Sequence, residues 1–296
     1  MTDTERINDR RFYHFIRKKT ILAWIIKLTL PQFADLDIET IKNGLESDGK
    51  NTARMRNTVM KAEGSTAVTD SVFMFDAVIG GEHVSFIIGV EHQNKSYLRY
   101  RLDNREQYYA AKLLSEQVVD DNDYDTLTPS ATIWLKPDPP ARERGTMATV
   151  TLWRTVNGGE PVKVDNPLMN IVEVNLGTDP PDDINIFDFL SPFFSLEGKT
   201  KTAEEFGTYQ QRYNLTNEDV SLKEAREMCG IFADSKVRYT EEGRVEGIIE
   251  GKIEDICSLV MADKCTLDEA IILLKIPEEK VDFVRTEVQL RLSSPD

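Results

Sequence analysis

The chain contains few of the residues that build disulfide-linked or zinc-binding folds. Only three of its 296 residues are cysteine and three are histidine. The cysteines are Cys229, Cys257 and Cys265; they form no CxxC pair and have no histidine nearby. This pattern favours neither a disulfide framework nor a zinc site. We expect small buried or unreactive thiols.

Long apolar runs are also missing. The N-terminal segment Met1 to Arg6 is polar and charged, and the longest apolar stretch near it, Ile21 to Leu30, is short and interrupted by Lys27. We therefore expect no signal peptide, no membrane span and a cytoplasmic location. Hydrophobic residues make up 40% and charged residues 29%, which excludes collagen-like and low-complexity classes and is typical of a globular protein.

The net charge of −15 argues against a nucleic-acid partner, but the charge is unevenly distributed. Residues 1–112 contain 17 basic and 15 acidic side chains, whereas residues 113–296 contain 19 and 36. Such a split is found where one part of a chain faces nucleic acid and another is acidic and solvated. On charge alone, an acidic surface without a nucleic-acid partner explains the data equally well.

The periodicity of apolar residues predicts an α/β (α+β) fold. Helical spacing over residues 10–45 breaks at Pro31, and alternation with period two follows from about Ser65 to Glu91. A helix is predicted from Leu98 to Gln117, and further strands are predicted over residues 131–135, 147–156 and 169–176. We divide the chain into an N-terminal helical layer (1–64), a core (65–195), a helical connection (196–235) and a C-terminal helical tail (236–296).

A tight hairpin is predicted at Gly80-Gly81, because two-residue hairpin loops need residues that tolerate positive φ. The residue numbers of cross-strand partners then sum to 161. Phe73, Phe75 and Ala77 face Ile88, Phe86 and Val84 on one side of the sheet, a surface suited to a core.

The same register sets two acids opposite each other on the other side of the sheet. Asp70 and Glu91 are direct partners, and their repulsion is relieved if a cation lies between them. Oxygen ligands suit Mg²⁺ or Mn²⁺. Gln93 lies on the same side as Glu91, because strand side chains alternate. The alternative, a solvated polar surface with ordinary acids, explains the pattern equally well.

Basic residues are concentrated in the same part of the chain. Three clusters occur: Arg10, Arg11, Arg17, Lys18 and Lys19; Lys50, Arg54, Arg56 and Lys61; and Lys95, Arg99, Arg101, Arg105 and Lys112. Any single cluster is explained by a solvated surface. Together with the paired acids they favour a phosphodiester substrate.

Three segments carry a family resemblance: Asp70-Ser71-Val72-Phe73, Ile87 to Gln93, and Arg105 to Gln117. Together they resemble the PD-(D/E)XK nuclease family transposases and their relatives, the recombination-promoting (Rpn) nucleases. The glycine-punctuated segment Glu241 to Gly247 is similar to the tail of those proteins.

The resemblance implies a restriction-endonuclease-like mixed sheet flanked by helices, which cleaves DNA with Mg²⁺ or Mn²⁺. Asp70 and Glu91 are then the catalytic metal ligands, and Gln93 positions the attacking water. Residues expected to contact DNA are Lys95, Arg99, Arg105 and Tyr109. The acid that the first core helix contributes has three candidates: Asp35, Glu39 and Glu46.

Two positions depart from the family pattern. Gln93 stands where the wider superfamily often has lysine, and Thr69 stands where it has proline. A neutral amide orients water but supplies no positive charge, which predicts weak activity. The alternative function is a catalytically degenerate DNA-binding or assembly module with the same fold.

The tail contains Gly243, Gly247 and Gly251, spaced so that they share one side of a helix. That spacing would allow another helix to approach closely and predicts a homodimer through the tail. A loosely helical linker explains the glycines equally well. Thr266 and Glu269 form a capping-box pattern ahead of two short helices around Pro277.

Overall fold

The structure is a computed structural model that describes residues 3–49, 51–62, 65–93, 100–117, 123–165, 167–177, 183–194, 201–262 and 264–293. Two compact units make up the chain: residues 1–236 and residues 237–296. The first contains the sheet and is built around the larger core. The second is helical.

Three helices precede the sheet: α1 (Asp3–Ile16), α2 (Lys19–Thr29) and α3 (Ile38–Gly44). Helix α2 is buried over most of its length. It ends at Thr29; Leu30 is its C-cap, and Pro31 begins a single 3₁₀ turn that continues to Phe33. Asp37 caps α3 by accepting a hydrogen bond from the backbone N–H of Thr40. The predicted helices with a break at Pro31 are confirmed.

The described strands form one six-stranded mixed sheet and one small hairpin. Six strands belong to the sheet: β1 (Arg56–Ala62), β2 (Ser65–Ile79), β3 (Glu82–His92), β4 (Ser130–Lys136), β5 (Thr146–Val150) and β8 (Met169–Asn175). Their order is β1-β2-β3-β4-β8-β5, and only the β3–β4 and β4–β8 pairs are parallel. Strands β6 (Trp153–Arg154) and β7 (Val162–Lys163) pair separately. The strand predicted over 147–156 therefore ends early, and its second half leaves the main sheet.

The hairpin between β2 and β3 has the predicted register. Its ladder runs from Ile79↔Glu82 to Val72↔Gly89, so partner numbers sum to 161. Gly80 and Gly81 have φ values of +62° and +89°, which only residues tolerant of the left-handed region adopt easily. Phe73 and its neighbours on the predicted apolar side belong to the main core.

Helices cover both sides of the sheet. The core side packs against α1, α2, α3 and α5 (Ile186–Leu190) and α6 (Ala203–Arg212). On the opposite side lies α4 (Leu102–Ser115), whose Tyr109 packs on Trp134 of β4 and whose Leu113 packs on Val72 and Ile87. The predicted mixed α/β sheet flanked by helices is confirmed.

The remaining helices are α7 (Leu222–Met261), α8 (Leu267–Leu273) and α9 (Val281–Ser293). In the second unit, Ile253 and Ile256 of α7 pack with Ile271 of α8 and Val284 of α9. The predicted capping box at Thr266 and Glu269 is present. Searching the described residues for a helix long and apolar enough to cross a membrane finds none.

Candidate functional site

Polar side chains from three adjacent strands converge beneath α4. The parallel ladders align Glu91 of β3 with Trp134 of β4, and Trp134 with Glu173 of β8. Two residues further along, the Gln93 N–H donates to the carbonyl of Leu135. Because strand side chains alternate, Glu91, Gln93 and Lys136 all belong to the side of the sheet that α4 covers.

The glutamate and glutamine predicted as site residues are both enclosed. Glu91 is fully buried and Gln93 is 7% exposed. The side-chain oxygen Oε1 of Gln93 accepts a hydrogen bond from Nη1 of Arg105 at 3.3 Å. Gln93 directly follows β3, and Arg105 lies in the first turn of α4, twelve residues further along the chain. The structure therefore brings these two segments into contact.

Arg105 is held by aromatic groups on two sides. Its guanidinium lies 5.1 Å from the ring centroid of Tyr109 and 5.4 Å from that of Trp134, within cation–π range. It also donates to the hydroxyls of Tyr100 and Tyr109, both at 3.4 Å. Burial lowers the pKa of Arg105, but the neighbouring tyrosines and Glu91 outweigh burial and raise it. Arg105 is therefore a fixed cation.

Tyr109, predicted as a DNA contact, is only 7% exposed, and its ring packs edge-on against Trp134. Its hydroxyl faces the guanidinium of Arg105. The geometry gives Tyr109 the role of a support that orients Arg105.

A second charged cluster adjoins Arg105 and was not predicted from the sequence. Nζ of Lys136 lies 2.8 Å from Oε1 of Glu106 and 2.9 Å from Oε2 of Glu173. Glu106 and Lys136 are buried. Burial raises the pKa of Glu106 to about 7, although Lys136 lowers it and Glu173 raises it further. Burial lowers the pKa of Lys136, but the two carboxylates raise it by more, so the net shift of its pKa is upward.

The predicted pairing of Asp70 with Glu91 falls two residues beyond the end of the described β2–β3 ladder. At that end β2 pairs with β1, where Thr69 aligns with Thr58, while Glu91 aligns with β4. The side chain of Asp70 lies outside the described part of the chain, and so do Lys95 and Arg99.

Three side chains of the first basic cluster have partners within the fold. Nη2 of Arg17 lies 2.5 Å from Asp48 Oδ2, and Lys18 pairs with Glu224 at 2.6 Å. Lys19 is buried and donates to the backbone carbonyls of Lys42 and Leu45. Lys19 is therefore held within the fold, whereas the ion pairs of Arg17 and Lys18 are partly exposed.

Two candidates for the acid of the first core helix are also ion-paired. Glu39 lies 2.8 Å from Nζ of Lys42, and Glu46 lies 2.5 Å from Nη2 of Arg56. Asp35 is exposed. The acid whose charge acts on the Arg105 guanidinium is Glu91, on β3, whereas Glu106 of α4 pairs with Lys136.

The described side chains include no group of three or more His, Cys, Asp or Glu residues placed to hold a metal ion. Glu91 nevertheless offers a carboxylate, the hard oxygen donor that Mg²⁺ and Mn²⁺ prefer, and Mg²⁺ commonly uses only one or two carboxylates from a protein. The donor chemistry therefore fits a divalent ion if Asp70 supplies the second carboxylate.

Comparisons of this chain with protein-family models, with curated proteins and with solved structures find no match. The arrangement of residues where β3 ends and α4 begins is therefore the basis on which a function is inferred.

Proposed function

We propose that this protein is a metal-dependent DNA endonuclease that hydrolyses phosphodiester bonds. The observation that carries the proposal is the contact between Arg105 and Gln93 beside the buried carboxylate of Glu91. A nuclease needs acidic metal ligands next to a cation that neutralises phosphate. Where β3 ends and α4 begins, Arg105 donates to Gln93, and the Glu91 carboxylate is close enough to raise the pKa of Arg105.

In this proposal Asp70 and Glu91 hold Mg²⁺ or Mn²⁺. A bound divalent metal would supply a nucleophile at neutral pH, because it would lower the pKa of a coordinated water. Gln93 orients that water through its amide, and Lys95 and Arg99 contact the DNA backbone together with Arg105. Tyr109 and Trp134 hold the guanidinium of Arg105 in place.

Arg105 compensates for the neutral residue at position 93. The wider superfamily often has lysine there, and an amide supplies no positive charge. Here a guanidinium donates directly to the Gln93 amide oxygen, so a permanent cation lies one side chain away. Arginine also suits phosphate, because its planar donors bind two oxygens at once.

The alternative is a catalytically degenerate DNA-binding or assembly module. The burial of Glu91, which is 0% exposed, favours it, because a catalytic carboxylate must reach a metal and a phosphate. Calorimetric titration with Mn²⁺ separates the two functions. The nuclease binds Mn²⁺ in a manner that Glu91→Gln weakens, whereas the degenerate module shows the same heat for both proteins.

A second test compares DNA binding with DNA cleavage, each in the presence of Mg²⁺ and of a chelator. A degenerate module binds DNA equally well with Mg²⁺ and with a chelator, and leaves supercoiled plasmid intact under both conditions. A nuclease converts the plasmid to the nicked form only when the metal is present. Asp70→Ala with the same residual nicking as the unaltered protein would refute the proposed ligand set.

A further inference from the structure

Strand β5 forms one edge of the main sheet and is exposed on both faces. It is the last strand in the order β1-β2-β3-β4-β8-β5, and each residue from Thr146 to Val150 is exposed. Such an edge presents backbone N–H and C=O groups along its outer side. Met147 and Val150 add apolar surface, with 45% and 46% exposure.

This edge lacks the features that usually prevent edge-to-edge pairing. Proteins commonly protect an edge with charged side chains or proline. Residues 145–153 read Gly-Thr-Met-Ala-Thr-Val-Thr-Leu-Trp and contain neither. The apolar exposure continues beyond β5, since Trp153 is 60% exposed and Val162 of the adjoining hairpin is 66% exposed.

We propose that β5 is a homodimer interface, in which it pairs antiparallel with β5 of a second copy about a two-fold axis. Identical strands that pair antiparallel form a closed, self-complementary contact. An axis at Ala148 places this residue opposite itself and sets Thr146 opposite the partner's Val150. The proposal is independent of the nuclease function and differs from a dimer through the helical tail.

Charge favours a second copy as the occupant of this edge. The chain has a net charge of −15, so most of its surface repels another copy. Around the edge the balance is different, because residues 141–165 contain four basic and three acidic side chains. The segment that carries this edge is therefore close to neutral, so a second copy meets it with less repulsion than the net charge of the chain implies.

The exposure of β5 also disfavours a foreign peptide. When a peptide adds to a sheet edge, pockets for its alternate side chains provide specificity. Both faces of β5 are exposed, so the strand itself contributes no such pocket. A stable dimer buries about 800 Å² per partner, an area that requires the adjoining apolar residues Leu152 and Trp153 in addition to the strand.

The test is the mass of the full chain by light scattering at micromolar concentration. We expect a dimer, and we expect Ala148→Lys to raise the dissociation constant by about tenfold or more, because two lysines then lie opposite each other at the axis. The matched control is Val78→Lys, which adds the same charge at another exposed strand position. It should leave the dimer intact.

Cysteine cross-linking tests the register and does not require a lysine variant to fold. Ala148→Cys should form an interchain disulfide under mild oxidation, because antiparallel partners have Cβ atoms ~4.5–5.5 Å apart. Val78→Cys and the unaltered protein should not. A monomeric unaltered chain would overturn the proposal. The proposal would also be overturned if the dimer persisted in Ala148→Lys but dissociated in Ile272→Lys, a change in α8. The helical tail would then be the interface.

Discussion

Nη1 of Arg105 lies 3.3 Å from Oε1 of Gln93, and this contact joins the first turn of α4 to the end of β3. The resemblance assigns Arg105 to DNA contact and Gln93 to catalysis. Their direct hydrogen bond couples the position of the Gln93 amide to that of the Arg105 guanidinium. A change at Arg105 alters the orientation of the Gln93 amide as well as the charge beside Glu91.

The first prediction concerns Arg105. Arg105→Met should weaken DNA binding and lower the slope of log affinity against log salt by about one, because one phosphate contact is lost. Fluorescence anisotropy with a labelled duplex at several salt concentrations measures both. Arg142→Met removes a positive charge from an exposed side chain elsewhere and serves as the matched control. An unchanged slope for Arg105→Met would exclude a phosphate contact there.

A second prediction concerns the buried cation of the neighbouring cluster. Lys136→Met leaves Glu106 and Glu173 without their shared partner, and breaking a buried ion pair in this way costs about 3 kcal/mol or more. Urea denaturation should therefore show a large fall in the free energy of unfolding. Lys223→Met removes a lysine that is 86% exposed and 3.8 Å from Glu227. That control should cost at most about 0.5 kcal/mol.

The third prediction is a pH dependence of stability that originates at Glu106. Its pKa is about 7 in the folded protein and 4.5 ordinarily, mainly because of burial. Between these values the folded state holds a proton that the unfolded state has released, so the free energy of unfolding decreases as pH rises from about 4.5 to 7. For this residue alone the decrease is on the order of 3 kcal/mol.

Glu106→Gln tests whether Glu106 causes this pH dependence of stability. The amide resembles the protonated acid and does not titrate, so the decline in stability between about pH 5 and 8 should become shallower. Glu160→Gln changes an exposed glutamate and should leave the decline as it is. If both variants follow the same pH profile as the unaltered protein, Glu106 does not titrate in this interval.

A fourth prediction concerns the hairpin that sets the register of β3. Gly80 has a positive φ, and a Cβ there meets no atom within 4 Å, so the cost of a side chain is conformational. Gly80→Ala should lower the free energy of unfolding by about 1–2 kcal/mol. Gly80→Asn should cost less, because asparagine tolerates this conformation. Equal losses for both variants would mean that space, not φ, limits position 80.

Local sequence patterns predicted the hairpin and the helices because each depends on neighbours in the chain. The Gly80-Gly81 loop determines which residues pair, and alternation then determines which side of the sheet each one faces. For the same reason Glu91 and Gln93 were correctly assigned to one side of the sheet. Pro31 similarly marks the end of α2 through a backbone restriction that needs no tertiary information.

The Glu106–Lys136–Glu173 cluster could not be predicted in this way. Its three residues come from α4, β4 and β8, and they meet only because β4 lies parallel between β3 and β8. Strand order of this kind is a property of the whole sheet. One local signal existed, since Lys136 directly follows the apolar strand predicted over residues 131–135, and a lysine buried at the end of such a strand requires a carboxylate partner.

The most direct test of the nuclease proposal is plasmid nicking with Mg²⁺ or Mn²⁺ by the unaltered protein and by Glu91→Gln. The substitution preserves the shape of the side chain and removes the charge that would hold the metal. We expect metal-dependent nicking by the unaltered protein and by the exposed control Glu160→Gln, and its loss, by about a hundredfold or more, in Glu91→Gln. Equal nicking by Glu91→Gln and the unaltered protein, or no nicking by either, would contradict the account.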